Sequence, residues 1–549
     1  MLNSTLTSIN SFHSLLDYLS AAKNHSLELG LSVLTVLGAR FLYTILKRAN
    51  MFRQIDGPKP SSLLWGDEAL LFEFATSLSV HDDLLNRYGS VCKLKGPLGE
   101  DRIWIADPRA MSDIVVKGFD DFHEVEGFVA WFALAHGPTI ITTKGHKHRS
   151  QRKILNPVFT AAHMRKLVLL RLWLTGIKLT DDSTLADPNL EDIVTSKVRE
   201  GGGSTGVIDI YHWMSNVALE MIGQAGMGYS FGVMRGKIPE YLEAASQLFP
   251  LITEMWYIRP FLPALMKIGP AGFRRSVVDC LSLGPIHRLK LVTDTMWKTA
   301  TSIYNQKKRA LANGTLETEI AAGNDVMSMM LKQNEVVPLE DQMSEVEIQA
   351  QVNGLLFGGH DTTSAALART LHLLAQHPKV QERLRMEVRE AHGLHGKDLD
   401  YDQLNSLKYL DAVCRESLRL WSPAQLTERV AAKDWNLPLR QTWGDDADQF
   451  KPSRWLDPLP CSVTEARIPG VYSNMMTFLG GPRSCIGFKF SQLEMKVVLS
   501  GLISSFRFDL GSEEHIWIAA GVAKPHVRHE DGTIDPESSL RMKVTLIED

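Results

Sequence analysis

"FLGGPRSCIGFKF" runs from Phe478 to Phe490 and sets one cysteine, Cys485, among glycines and a single arginine, Arg483. A thiol becomes a strong metal ligand only when its anion is stabilised. Glycines at 480, 481 and 487 let backbone N–H groups approach the sulfur. The amphipathic run from Phe488 onward predicts a helix whose positive end lies beside Cys485. Arg483 adds a cation able to meet an anionic cofactor group. A lone buried cysteine is more often inert packing than a ligand; here the spacing argues for a ligand. The other cysteines (Cys92, Cys280, Cys414, Cys461) are scattered, with no C-x-x-C pair. That argues against zinc and against a disulfide framework, and fits a reducing compartment.

The chain is long enough, at 549 residues with 44% hydrophobic, to bury a large core. A formal charge of -4 lacks the basic excess that concentrates nucleic acid, so no nucleic-acid partner is expected. Helical apolar spacing recurs over 166–179, 213–225, 241–258, 286–312, 345–376, 379–391, 409–420 and 488–506. Strand-like pieces are short: 91–96, 102–107 and 539–546. The expectation is a mainly α chain with small β-sheets.

Residues 1–28 read as a short tail, followed by an apolar run at 29–48 whose only charge before Lys47 and Arg48 is Arg40. This predicts a single-pass transmembrane anchor, with the basic flank placing the rest in the cytosol. An amphipathic helix lying on the membrane is the alternative. A basic, proline-rich hinge at 49–60 contains "DGPKP", which forbids helix and makes a stiff elbow. Residues 61–549 then read as one catalytic domain.

The clearest helix signal begins at Ser344, which with Glu347 forms a capping box, and continues until His377 and Pro378. In its middle lies "GGHDTTS" (358–364). Two adjacent glycines cost about 1 kcal/mol each against alanine, and the Asp and Thr residues compete for backbone hydrogen bonds. Either a kink with a satisfied polar group offsets this, or a widened helix where a ligand lies against the backbone.

Phe478, Gly481, Arg483, Cys485 and Gly487 match the haem-binding loop F-x-x-G-x-R-x-C-x-G of the cytochrome P450 family, which the chain resembles from about Gly57 to its end. "ESLR" resembles the family's E-x-x-R pair, Glu416 and Arg419, and "FKPSRW" its aromatic-proline-arginine motif, with Arg454 completing a structural triad. "GGHDTT" resembles the oxygen-activation segment. The resemblance implies the P450 fold, with haem b between the long central helix and the Cys-loop helix. Cys485 would be the axial thiolate, which favours O–O cleavage, and Asp361 and Thr362 the acid and alcohol that relay protons to bound O2. "GHKHRSQRKILNPVF" (145–159) resembles the propionate-contacting helix, which points to Arg152, and to His148 where many members carry tryptophan. Arg429 matches another propionate arginine. Electrons would come from NADPH through a separate cytochrome P450 reductase, in the endoplasmic reticulum membrane with the catalytic domain facing the cytosol.

By the same resemblance the pocket would be lined by Phe128, Trp131 and Phe132, by Leu355 and Phe357, and by Ala424, Gln425 and Leu426. This lining suggests an apolar, fairly bulky substrate. The propionate helix is most similar to fungal members, many of which oxidise terpenoids or other secondary metabolites. The chain departs from the pattern between Leu439 and Thr442, where about twenty to thirty expected residues that would build sheet beside the haem are absent. Three readings follow: a membrane-anchored haem-thiolate monooxygenase; a haem-binding but impaired or mis-spliced member; and an O2-independent haem-thiolate isomerase or dehydratase, against which the retained Asp361 and Thr362 argue.

Overall fold

The apolar periodicities become helices with the ends their caps dictate. In the computed structural model these are, in chain order, α1 (Glu126–His136), α2 (Gly145–Leu155), α3 (Ile210–Met221), α4 (Glu240–Glu254), α5 (Gly284–Asn313), α6 (Glu345–Gln376), α7 (Pro378–His395), α8 (Lys408–Leu420) and α9 (Phe488–Ser505), with shorter turns between them. The structure describes Thr35, Val36, Gly38, Ala39, Phe52 and residues 54–547, apart from 73–76, 168–189, 201, 282–283, 317–322, 434, 436–445, 467, 469 and 473. The gap at 439–442 and most of the anchor at 29–48 lie outside the described residues, as does most of the helix expected at 166–179. No described helix is long and apolar enough to cross a membrane.

Two compact units divide the chain. The smaller comprises Met1–Asp67 and Arg87–Trp104. In it β1 (Val91–Lys95) pairs with β2 (Asp101–Ile105). The "DGPKP" elbow lies against β1: the Lys93 N–H donates to the Asp56 carbonyl at 2.9 Å. The larger unit, Glu68–Asn86 and Ile105–Asp549, holds every residue expected at the site.

Helix α6 is the axis of the larger unit. Ser344 caps it, with the Glu347 N–H donating to its hydroxyl and the Glu347 carboxylate accepting from the Ser344 N–H, which is the capping box expected. Most of its side chains are buried on all sides, as expected of a helix enclosed by others. It packs on α3, α5, α8 and α9. Of the two alternatives open at 358–364, a kink with a satisfied polar group or a widened helix, the widened turn is not there: α6 is α-helical from end to end. The hydroxyls bond backward along the helix instead of opening it, Thr362 Oγ1 to the Gly358 carbonyl at 2.7 Å and Ser364 Oγ to the Asp361 carbonyl at 3.1 Å.

Short antiparallel ladders complete the larger unit. β3 (Phe122–Glu124) pairs with β5 (Arg429–Ala431), and β6 (Gly470–Tyr472) with β7 (Met475–Gly480). β4 (Thr205–Asp209), β11 (Arg541–Leu546) and β8 (Phe506–Leu510) form a sheet with β11 central. β9 (Glu514–Ala520) and β10 (Val522–Arg528) form a hairpin turning on Gly521, whose φ is +85°.

Burial lowers the pKa of His136, His360 and His372 to about 4. The unfolded chain takes up their protons from about pH 6.5 downward, whereas the folded protein does not until about pH 4. Stability is therefore expected to fall between these limits as pH drops, by about 1.4 kcal/mol per pH unit for each histidine. Thermal unfolding followed from pH 7 to pH 4.5 checks this; a flat midpoint would contradict it.

Candidate functional site

β7 delivers the chain into the cysteine loop through two left-handed residues, Leu479 (φ 53°) and Gly481 (φ +66°). A Cβ at 481 would stand 2.7 Å from the Val115 carbonyl oxygen, so glycine is required there by both backbone and space. The loop closes when the Cys485 N–H donates to the Phe478 carbonyl at 2.8 Å. Gly487 then caps α9. Phe478 rests against Phe488 and Tyr472, with centroids 6.1 and 5.8 Å away. Cys485 is solvent-accessible, yet burial raises its pKa, so the sulfur lines a confined internal space and not the outer surface. The Gly487 N–H and the Arg152 guanidinium pull the pKa the other way. A bound metal cation is the partner that would tip the balance to thiolate.

Around this loop stand three arginines. Arg483 donates to the carbonyls of Ile140 (2.8 Å) and Thr143 (2.7 Å), and its Nε lies 3.0 Å from Glu124 Oε1. Arg429, aligned with Glu124 across the β3–β5 ladder, approaches the same oxygen at 3.8 Å. The Arg152 guanidinium donates to the carbonyls of Pro482 and Ser484, bracing the loop on either side of Arg483. His148 is buried, and desolvation followed by the charges of Arg483, Arg152 and Arg149 lowers its pKa to about 4. One carboxylate among three guanidiniums leaves a cationic excess that fits the two propionates of a haem.

Helix α6 supplies a glycine with open space before it. A Cβ on Gly358 would meet nothing within 4 Å, whereas one on Gly359 would stand 2.8 Å from Ile222 Cγ1. The first glycine therefore leaves the helix bare on one side and the second lets α3 and the turn after it pack closely. Thr362 lies one turn beyond Gly358. Asp361 is 1% exposed and its carboxylate is 2.6 Å from Nζ of Lys524 on β10, with no further hydrogen-bond donor among the described residues. That ion pair, bordered by the Tyr211 hydroxyl, was not foreseen from the sequence. On α9, Glu494 is fully buried, which drives its pKa far upward; the Thr363 hydroxyl opposes the shift.

Glu416, Arg419 and Arg454 meet at a buried carboxylate. Arg419 binds it through two bonds, Nε to Oε2 at 2.8 Å and Nη2 to Oε1 at 2.9 Å. Arg454 Nε stands 3.4 Å from Oε1. The Lys451 N–H and the Trp455 indole N–H add donors at 2.9 Å each. Thr477 on β7 donates to the Leu418 carbonyl at 2.9 Å, tying α8 to the strand that leads into the cysteine loop.

Phe128, Phe132 and Phe357 come together in one aromatic cluster. Phe128 and Phe132 lie 4.6 Å apart, and Phe249 of α4 bridges Phe132 (6.3 Å) to Phe357 (5.4 Å). Of the other residues expected to line the pocket, Trp131 is 4% exposed, and Ala424 and Leu426 are exposed.

The cytochrome P450 family model matches residues 58–442 and 439–524. The chain belongs to the cytochrome P450 family. It is similar to cytochrome P450 monooxygenase 91 of Postia placenta, 38% identical over 510 residues that cover 86% of this chain and 91% of that one. It resembles cytochrome P450 monooxygenase 212 of the same organism equally, at 38% over 531 residues, 90% and 94% of the two chains. A ganoderic acid synthetase of Ganoderma lucidum is 38% identical over 498 residues, 83% of this chain and 88% of its own. The chain is thus an oxidoreductase of the P450 monooxygenase class, mainly α with small antiparallel sheets.

The family match breaks into two pieces where this P450 was read as short, between Leu439 and Thr442. Sequence reasoning missed Glu124, Phe249, Lys524 and His136. His136 carried a signal, four residues after Phe132 on one helical face. Lys524 carried none, since only the fold brings β10 to Asp361.

Proposed function

We propose that this P450 inserts one oxygen atom from O2 into an apolar small molecule, a terpenoid or related secondary metabolite, using electrons from NADPH delivered by a separate reductase. We further propose that residues 29–48 anchor it to the endoplasmic reticulum membrane, with the catalytic domain facing the cytosol. The observation that carries the reading is Cys485: accessible but enclosed, with the Gly487 N–H and Arg152 favouring its thiolate and three guanidiniums close by. Haem, when bound, would supply the oxygen-activating iron, for which Cys485 would be the ligand, and Arg152, Arg429, Arg483 and His148 are the residues that would hold its propionates. Gly358 leaves room on the α6 side. Thr362 holds its proton on the Gly358 carbonyl; releasing that bond presents a hydroxyl donor on the side Gly358 leaves open. Asp361, held ionised by Lys524, is the neighbouring buried carboxylate that would first take up a proton from solvent and then pass it to Thr362. The aromatic cluster orients the substrate and excludes water. A terpenoid substrate is supported by the name of the Ganoderma relative and by the apolar lining.

Haem-loaded protein, a P450 reductase and NADPH under 18O2 should convert a terpene substrate to a product carrying one 18O. Oxygenated product without the label would refute the reading. Thr362→Ala should keep the spectrum of the parent yet divert a large share of reducing equivalents to peroxide; equal coupling in both proteins would remove Thr362 from proton delivery.

A further inference from the structure

Two turns past Asp361, α6 carries Arg369, a cation with no anion beside it among the described residues. Its guanidinium carbon lies 3.8 Å from the ring centroid of Trp421 and 4.5 Å from that of Trp517. The Trp517 indole is itself fixed, its N–H donating to His372 Nδ1 at 3.1 Å. Indole faces attract a cation but accept nothing from the five in-plane N–H donors of a guanidinium. Nε is buried without a partner. Burial alone lowers the pKa, to about 9, which leaves the group charged at neutral pH with no carboxylate acting on it. A charge largely withdrawn from water without a counter-ion is costly. Arg369 also lines a cavity. Ala365 and Ala523, both buried, form its floor, and the half-buried Trp421, Gln425 and Trp517 stand at its rim. It holds about 10 Å³, the room of a single water.

We propose that this cavity binds one singly charged anionic group no larger than a carboxylate, with Arg369 as its cation. A carboxylate sets one oxygen inside and keeps its carbon at the rim, where the Gln425 amide offers a further N–H. A phosphate, with four oxygens and a second charge, exceeds both the room and the single cation. The group comes either free from solution or as the acid end of a substrate, and both present the same oxygen to the guanidinium. Seated there, it ties Trp517 of β9 and Ala523 of β10 to α6, on the hairpin that also brings Lys524 to Asp361.

Haem-loaded wild type, Arg369→Met and Ala523→Val are unfolded thermally while sodium formate replaces sodium MES, a bulky sulfonate, at fixed ionic strength. The wild-type midpoint should rise with formate and saturate. Arg369→Met, which keeps a stem against the indoles but not the charge, should need at least about 10-fold more formate for the same rise. Ala523→Val, which fills the floor and leaves the cation, should lose the rise as well. A wild-type midpoint indifferent to formate, or a rise in either variant equal to that of wild type, overturns the proposal; the valine variant decides alone if the methionine one does not fold. Soret spin-shift titrations with abietic acid and its methyl ester then give the source. A wild-type preference for the acid that Arg369→Met abolishes assigns the anion to the substrate; equal behaviour of acid and ester, or binding of neither, assigns it to solution. The formate response needs no turnover, so a missing thiolate-type Soret band would strike the monooxygenase reading and leave this one standing.

Discussion

Cys485→Ser is expected to abolish the red-shifted Soret band of the reduced, CO-bound protein, and all monooxygenation with it. The serine hydroxyl keeps the size of the thiol, and the loop closure between the residue 485 N–H and the Phe478 carbonyl is made by backbone, so the fold should survive. What is lost is the soft anionic ligand that the Gly487 N–H and Arg152 favour. Ser484 cannot substitute, because its carbonyl is held by Arg152 and its N–H by Gly481. A variant that retains the thiolate-type band would dislodge Cys485 from the centre of this account.

Removing the Glu416 carboxylate should have the largest effect on stability. Its two oxygens receive Arg419 twice, the Lys451 N–H and the Trp455 indole, with Arg454 alongside. Glu416→Ala removes the carboxylate that Arg419 and Arg454 share; Arg454 keeps Asp446 at 2.7 Å, while Arg419 is left with backbone carbonyls. Breaking a buried pair from one side typically costs about 3–5 kcal/mol, a large part of the roughly 5–15 kcal/mol that holds a folded domain. Glu416→Gln, which keeps an acceptor but no charge, should fall between the two. Denaturant unfolding and the fraction of protein retaining haem measure the order; an Ala variant within about 1 kcal/mol of wild type would show that the cluster is not a fastening. Because the Leu418 carbonyl on α8 accepts from Thr477, loosening α8 should also release haem before the chain unfolds.

The long helices were legible because their cues are local. α6 begins at its capping box and α8 ends where expected, at Leu420. α3 begins three residues before the apolar spacing does, because the Asp209 side chain accepts the His212 N–H and caps it early. Most strands escaped notice for the opposite reason. β3 and β5 are three residues each and exist only because they pair across three hundred residues, and β10 carries Pro525, which argues against a strand when read alone. At the site the pattern was the same. Cys485, Glu416 and Arg419 sit in contiguous motifs, whereas Glu124, Phe249 and Lys524 enter only through tertiary contact. The carbonyls of Pro482 and Ser484 that Arg152 reaches could not be read from the sequence, which shows a charge without showing which backbone oxygen lies beside it.

The β9–β10 hairpin carries a constraint on how this enzyme can diversify. Its turn glycine, Gly521, abuts Phe249, where a Cβ would come within 2.2 Å of the ring, and three residues later Lys524 neutralises Asp361. One short ribbon thus touches both the Phe249 ring and the buried acid. Exchanging the hairpin between relatives to alter substrate range would succeed only for grafts that keep glycine at the turn and bring a lysine in the same register three residues later.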